Sequence, residues 1–163
     1  CITGGLLIIK STNPLELIKV KTSNMYFSII HPDIKVDTKT ARRILPKKVY
    51  LKDAIEQWGN VAALTYGFSS NNFDIIKSAM TDVIIEPVRS KLIPYYKDIK
   101  IASLQSGSIG CSISGSGPSV FSLSKTKNDA AQVLLSMEKI LIDHGIKFHS
   151  YISSINQEGI TIV

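Results

Sequence analysis

The sequence predicts an α+β chain built on an antiparallel sheet, and three observations carry that prediction. Apolar runs of strand length recur between turn signals rich in Gly, Pro, Asn and Asp. Two long segments, 50–69 and 127–143, instead place apolar residues at the helical i, i+3, i+4, i+7 spacing. The second half then runs strand, tight loop, strand, helix, strand. Short connections of that kind favour antiparallel neighbours.

In chain order, Gly4–Lys10 and Leu15–Lys21 read as two strands about the turn signal 11–14, and Met25–Ile30 as a third, closed by His31-Pro32-Asp33. The double glycine Gly4-Gly5 is expected to allow close backbone approach to a part of the protein upstream. Thr38 is expected to cap a short helix that Pro46 stops. Residues 50–69 carry Leu51, Ala54, Ile55, Trp58, Val61, Ala62, Thr65 and Phe68 on one amphipathic stripe, with Trp58 expected in the core. Asn71-Asn72 breaks that helix, and a shorter one follows over Phe73–Met80. Asp82–Arg89 has the composition of a turn and helix start, with Pro87 near the first helical position. A further helix is expected over Pro94–Gln105, then strands Ile109–Ile113 and Ser119–Leu123 around a tight loop. Lys127–Asp143 is the clearest helix, with Ala130, Val133, Leu134, Met137, Ile140 and Leu141 on one face, Asn128 as N-cap and Gly145 just past its end. Ile146–Ile155 and Gly159–Val163 are expected to close the sheet. The result is βαββαβ order behind an extra hairpin, a ferredoxin-like α+β sandwich, with residues 1–163 as a single domain. That fold hosts many functions and settles none.

Composition narrows the field. The chain has 163 residues, 44% of them hydrophobic and 20% charged, which is a globular balance. The formal charge of +6 favours anionic ligands, yet the longest basic runs are the pairs Arg42-Arg43 and Lys47-Lys48. That scatter argues against a nucleic-acid surface. Two cysteines, Cys1 and Cys111, make neither a disulfide framework nor a metal-ligand spacing, and a reducing cytoplasm is the expected compartment. His31, His144 and His149 lie apart and read as surface or strand-end residues. No apolar run reaches the roughly 18 residues that a membrane span requires, and no signal peptide is visible. The chain opens at Cys1 without an initiator Met, as a fragment or processed product does, so residues of the functional unit are expected upstream.

The stretch 107–121 is the organising feature. Gly115 and Gly117 flank Ser116, and Pro118 fixes the backbone just after the turn. Backbone N–H groups together with the hydroxyls of Ser114, Ser116 and Ser119 make a polar cup suited to an oxyanion. A plain glycine-rich hairpin loop is the competing reading. The stretch is not a P-loop, because no lysine follows Gly117. It also fails the dinucleotide fingerprint, because Val120 takes the last glycine position, and it lacks the final glycine of a nucleophile elbow. What remains is an auxiliary ligand wall. Thr38 and Arg42 stand one helical turn apart, and an arginine fork grips a carboxylate or phosphate. An exposed helix arginine is the alternative. Arg89 follows Glu86-Pro87, with a surface ion pair to Glu86 as its alternative, and Asp82 is a third candidate, with a helix cap or solvent-exposed turn residue as its alternative.

Taken in order, Thr38-x-x-x-Arg42-x-x-Leu45-Pro46, then Glu86-Pro87-x-Arg89, then Gly107-x-x-Gly110-x-x-Ile-Ser114-Gly-Ser-Gly-Pro-Ser119-x-Phe121 resembles the C-terminal half of the homoserine kinases. These are a branch of the GHMP small-molecule kinases, and the resemblance runs across nearly the whole chain. It implies a two-domain enzyme that uses Mg-ATP to phosphorylate the side-chain hydroxyl of L-homoserine, a step toward threonine. Arg42 and Arg89 would hold the substrate carboxylate, with Thr38 and Gly115 beside them. Ser114, Gly115, Ser116 and Gly117 would form a loop near the phosphates. The phosphate-cradling Gly-Leu-Gly-Ser-Ser-Ala type of loop is absent from this sequence, so ATP and Mg2+ are expected mainly on an N-terminal domain outside it, with no catalytic or metal-ligating residue here. The chain alone is therefore expected to be inactive. Oligomeric state stays open, a homodimer included. Two other readings remain: a non-catalytic carboxylate-binding module on the same fold, and a GHMP kinase for another small alcohol such as mevalonate. An RNA-binding sheet ranks last, since Ile109–Ile113 offers no aromatic residue.

Overall fold

The computed structural model describes residues 2–22 and 24–161. Two strands open it, β1 (Leu6–Thr12) and β2 (Leu15–Val20), paired with each other as an antiparallel hairpin. The main sheet holds β3 (Tyr26–Pro32), β4 (Gly110–Ile113), β5 (Val120–Ser124) and β6 (Phe148–Ser154) in the order β4-β5-β3-β6, antiparallel throughout. This is the strand order of a ferredoxin-like βαββαβ unit. The helices are α1 (Thr38–Arg43), α2 (Leu51–Ser70), α3 (Phe73–Ala79), the single turn α4 (Glu86–Arg89), α5 (Tyr96–Gln105) and α6 (Lys127–Asp143).

The register explains which residues enter the core. Strand side chains alternate between faces, and in β3 Ser28, Ile30 and Pro32 are buried while Phe27, Ile29 and His31 are only half-buried. The first set packs under α5 and α6, where Ile30, Ile99, Val120, Val133, Met137 and Leu141 are sealed from solvent. On the opposite face, α2 and α3 cover one end, closing Met25, Phe68, Ile76, Ile109 and Leu123 into a second cluster. The sheet is thus covered on both sides at that end, more than a two-layer sandwich provides.

Local signals were read correctly where the cap or breaker acts on its own neighbours. Asn71 takes the left-handed conformation that ends α2, and Asn72 caps α3 by accepting from the Ile75 N–H. Four expectations are corrected. Asp37, not Thr38, caps α1, because its carboxylate accepts from the Lys39 and Thr40 N–H groups; those bonds, the Thr40 hydroxyl first, hold its pKa below the usual range. Thr126, not Asn128, caps α6 through a reciprocal box with Asp129. The helix expected from Pro94 begins at Tyr96. Residues 159–161 form no strand, and 162–163 lie outside the described residues, as does Cys1.

Gly4, at φ +64, lies against the Asn156–Gly159 backbone.

Trp58 needs a separate correction, since it is 64% exposed. The apolar positions of α2 wrap most of the helix. Ala54, Leu64 and Phe68 turn toward the sheet, whereas Leu51, Ile55, Trp58 and Tyr66 face away and are exposed. A stripe of that width has two sides, and the chain covers one.

Candidate functional site

Antiparallel pairing brings the end of β3 and the 114–119 loop together at one end of the central strands. β3 ends at Pro32 beside the start of β5, and β5 begins where the 114–119 loop leaves β4. His31, at the end of β3, sits 2.8 Å through Nδ1 from the Ser119 hydroxyl, tying the strand end to the loop. α1, which carries Thr38 and Arg42, follows β3 after five residues.

The loop itself is held from inside. The Ser114 N–H donates to the Ser119 carbonyl at 2.8 Å, and the Gly117 N–H donates to the Ser114 carbonyl at 3.0 Å. Among the described residues the N–H groups of Gly115 and Ser116 take no such bond. Gly115 has φ +58, and a side chain added there would meet nothing within 4 Å. The backbone is therefore open to an outside acceptor at that point. The expected cup is smaller than the sequence suggested, because the Ser119 hydroxyl already engages His31.

Arg89 is brought to this loop. Its Nη1 donates to the Gly115 carbonyl at 2.8 Å, while its Nε is buried without a partner among the described residues. The alternative ion pair with Glu86 does not form: Glu86 Oε1 pairs with Lys100, and Oε2 accepts from the Ser112 hydroxyl at 3.0 Å. Asp82 fulfils its turn-residue reading, accepting from the Ile84 and Ile85 N–H groups at 2.8 and 2.7 Å. Thr38 and Arg42 are exposed on α1 and, among the described residues, bond neither to Arg89 nor to the loop. Tyr96 and Cys111 are buried together in the core cluster that also holds Ile93. Tyr96 is pushed well above its ordinary pKa, first by burial and then by the Glu86 charge, and burial pushes Cys111 up to about 12. Sequence reasoning missed the Glu86–Lys100–Ser112 cluster, whose members come from three elements with no shared spacing.

The family described as "GHMP kinases C terminal" matches residues 61–143. The chain belongs to the GHMP kinases. Homoserine kinase of Chlorobium phaeobacteroides (strain BS1) is 40% identical to this GHMP chain over 163 residues, covering 98% of it and 51% of the relative. A homoserine kinase of Cytophaga hutchinsonii has a crystal structure that superposes with a TM-score of 0.94 at 44% identity, covering 96% of this chain and 50% of that one. Mevalonate kinase of L. major shares the fold at 9% identity with a TM-score of 0.68, over 90% of this chain and 47% of that one. The chain spans about half the length of the curated relatives it matches.

Proposed function

We propose that this chain is the substrate-side, C-terminal domain of an ATP-dependent kinase that phosphorylates the side-chain hydroxyl of L-homoserine in threonine biosynthesis, in the cytoplasm. The observation that carries the reading is Arg89, fixed by the Gly115 carbonyl at the mouth of an open glycine loop, with a buried guanidinium N–H that has no partner among the described residues. Such a donor suits a carboxylate. Arg42, exposed one turn from Thr38 on α1 and with no side-chain hydrogen bond among the described residues, supplies the second fork. No helix among the described residues is long and apolar enough to cross a membrane.

ATP supplies the phosphoryl group and Mg2+ offsets its charge when both are bound. The unengaged N–H groups of Gly115 and Ser116 fit a phosphate oxygen beside the loop. Among the described residues no cluster of three or more His, Cys, Asp or Glu is placed to hold a metal. The reading therefore assigns the metal and most nucleotide contacts to an upstream domain, which is the partner it requires. The exposed Leu51, Ile55 and Trp58 face, and the apolar cavity of about 340 Å³ beside Leu6, Phe27, Val61 and Phe121, are the surfaces it gives that domain.

The test is ATP turnover by the full-length protein offered L-homoserine, mevalonate, galactose and shikimate in turn. Selective turnover of homoserine is expected, and none by the 163-residue chain alone. The double variant Arg42→Ala, Arg89→Ala should raise KM for homoserine on the order of 10²-fold, since losing one partner of a desolvated charge pair costs about 2–5 kcal/mol. Preference for another alcohol would keep the family and discard the substrate. Amino-acid binding without turnover would favour the non-catalytic module.

A further inference from the structure

Arg89 lies on α4, a single turn of four residues, and so short a helix has no stability of its own. Its place is set by attachments to neighbours. Asp82 fixes the approach by accepting from the Ile84 and Ile85 N–H groups. Glu86 then uses both carboxylate oxygens, one on Lys100 of α5 and one on Ser112 of β4. Its side chain is only 12% exposed and that of Lys100 only 23%. Arg89 lies three positions after Glu86, and Gly115 three positions after Ser112. The Glu86–Ser112 and Arg89–Gly115 bonds are therefore two rungs joining the same helical turn to the same strand-and-loop stretch.

We infer that Glu86 is a positioning residue for the kinase reaction, setting the reach and direction of the Arg89 guanidinium through its bonds to Ser112 and Lys100. The inference rests on the reading that Arg89 grips the substrate carboxylate. A buried ion pair is weak evidence for stability, because well-packed apolar residues often serve as well. What an apolar pair would not supply is direction. The Glu86 carboxylate ties α4 to a helix on one side and to the loop-bearing strand on the other, so the turn cannot rotate without breaking a rung. Without the Glu86 rung, Arg89 bonded only to Gly115 would swing about that single contact.

The experiment uses the full-length enzyme with Glu86→Gln, Ser112→Ala, Arg89→Ala and, as a distant control, Lys139→Ala, whose exposed partner is Asp143. Glu86→Gln should raise KM for L-homoserine about tenfold, the scale on which small misplacements act. KM for ATP should stay within about twofold of wild type. Ser112→Ala should move the same constant the same way by less, and Lys139→Ala should move neither. If Arg89→Ala raises KM while Glu86→Gln and Ser112→Ala leave it unchanged, the positioning role is overturned. If Arg89→Ala also leaves it unchanged, the carboxylate-clamp reading has failed and the inference falls with it. Should Glu86→Gln fail to fold, Ser112→Ala decides alone.

Discussion

The two faces of the main sheet make an instructive contrast. Beneath α5 and α6, Ile30, Val120, Val133, Met137 and Leu141 are wholly buried, and this chain supplies every contact. On the other face Phe27 and Phe121 meet with ring centroids 6.0 Å apart, yet they line an open cavity. The helix beside them turns Leu51, Ile55 and Trp58 outward. Both faces are written in the same apolar periodicity. The pattern states which residues avoid water and is silent on which neighbour shields them.

That contrast can be broken from its closed side first. Met137→Ala should cost about 2–5 kcal/mol by urea unfolding, because neighbours sealed on all sides collapse only partly into the space left. A loss below about 1 kcal/mol would show that this face is looser than its burial implies.

Alkali probes the same side with a smaller effect. The folded Cys111 thiol keeps its proton up to about pH 12, against an ordinary value of 9.0. The unfolded chain releases that proton earlier, so the stability contributed is complete below about pH 9 and declines as pH rises toward 12. Tyr96 adds a loss of the same sign, starting above its ordinary value of 10.0. Thermal midpoints measured from pH 8 to 11 should fall less steeply for Cys111→Ala than for wild type; equal slopes would remove the thiol from the account.

Thr126→Ala should cost about 1 kcal/mol, the usual worth of an N-cap, and Asn128→Ala almost nothing. Reversal of that order in thermal melts would restore Asn128 as the cap. Smallest of all is the open face. Trp58→Ser should change the stability of the isolated chain by no more than about 0.5 kcal/mol. Trp58 is the chain's one tryptophan, and its emission should be quenched readily by acrylamide. Shielding in the isolated chain would mean that this face is already covered.

Much of the fold was legible because its signals are local. α6 appears at the expected Lys127–Asp143, since a periodic stripe and a terminal glycine act within a few residues of one another. Caps were misassigned by one or two positions because Asp37 and Thr38, or Thr126 and Asn128, are chemically equivalent candidates until the backbone chooses. The candidate site was legible as residue types in order, namely Thr38, Arg42, Arg89 and the 114–117 loop. Its wiring was not.

By itself, then, the sequence determined the element order, the breakers at Asn71 and Asn72, the apolar stripes and the glycine loop, all of which depend on neighbours along the chain. Tertiary structure alone decided that Glu86 would meet Lys100 and Ser112 rather than Arg89, and that Arg89 would meet Gly115. It also decided that His31 would take the Ser119 hydroxyl and that Trp58 would face outward. These are pairings across as many as 88 positions. Charge and hydroxyl chemistry permit many such partners, and only the packing of α4 and α5 against β4, and of β3 against β5, selects among them.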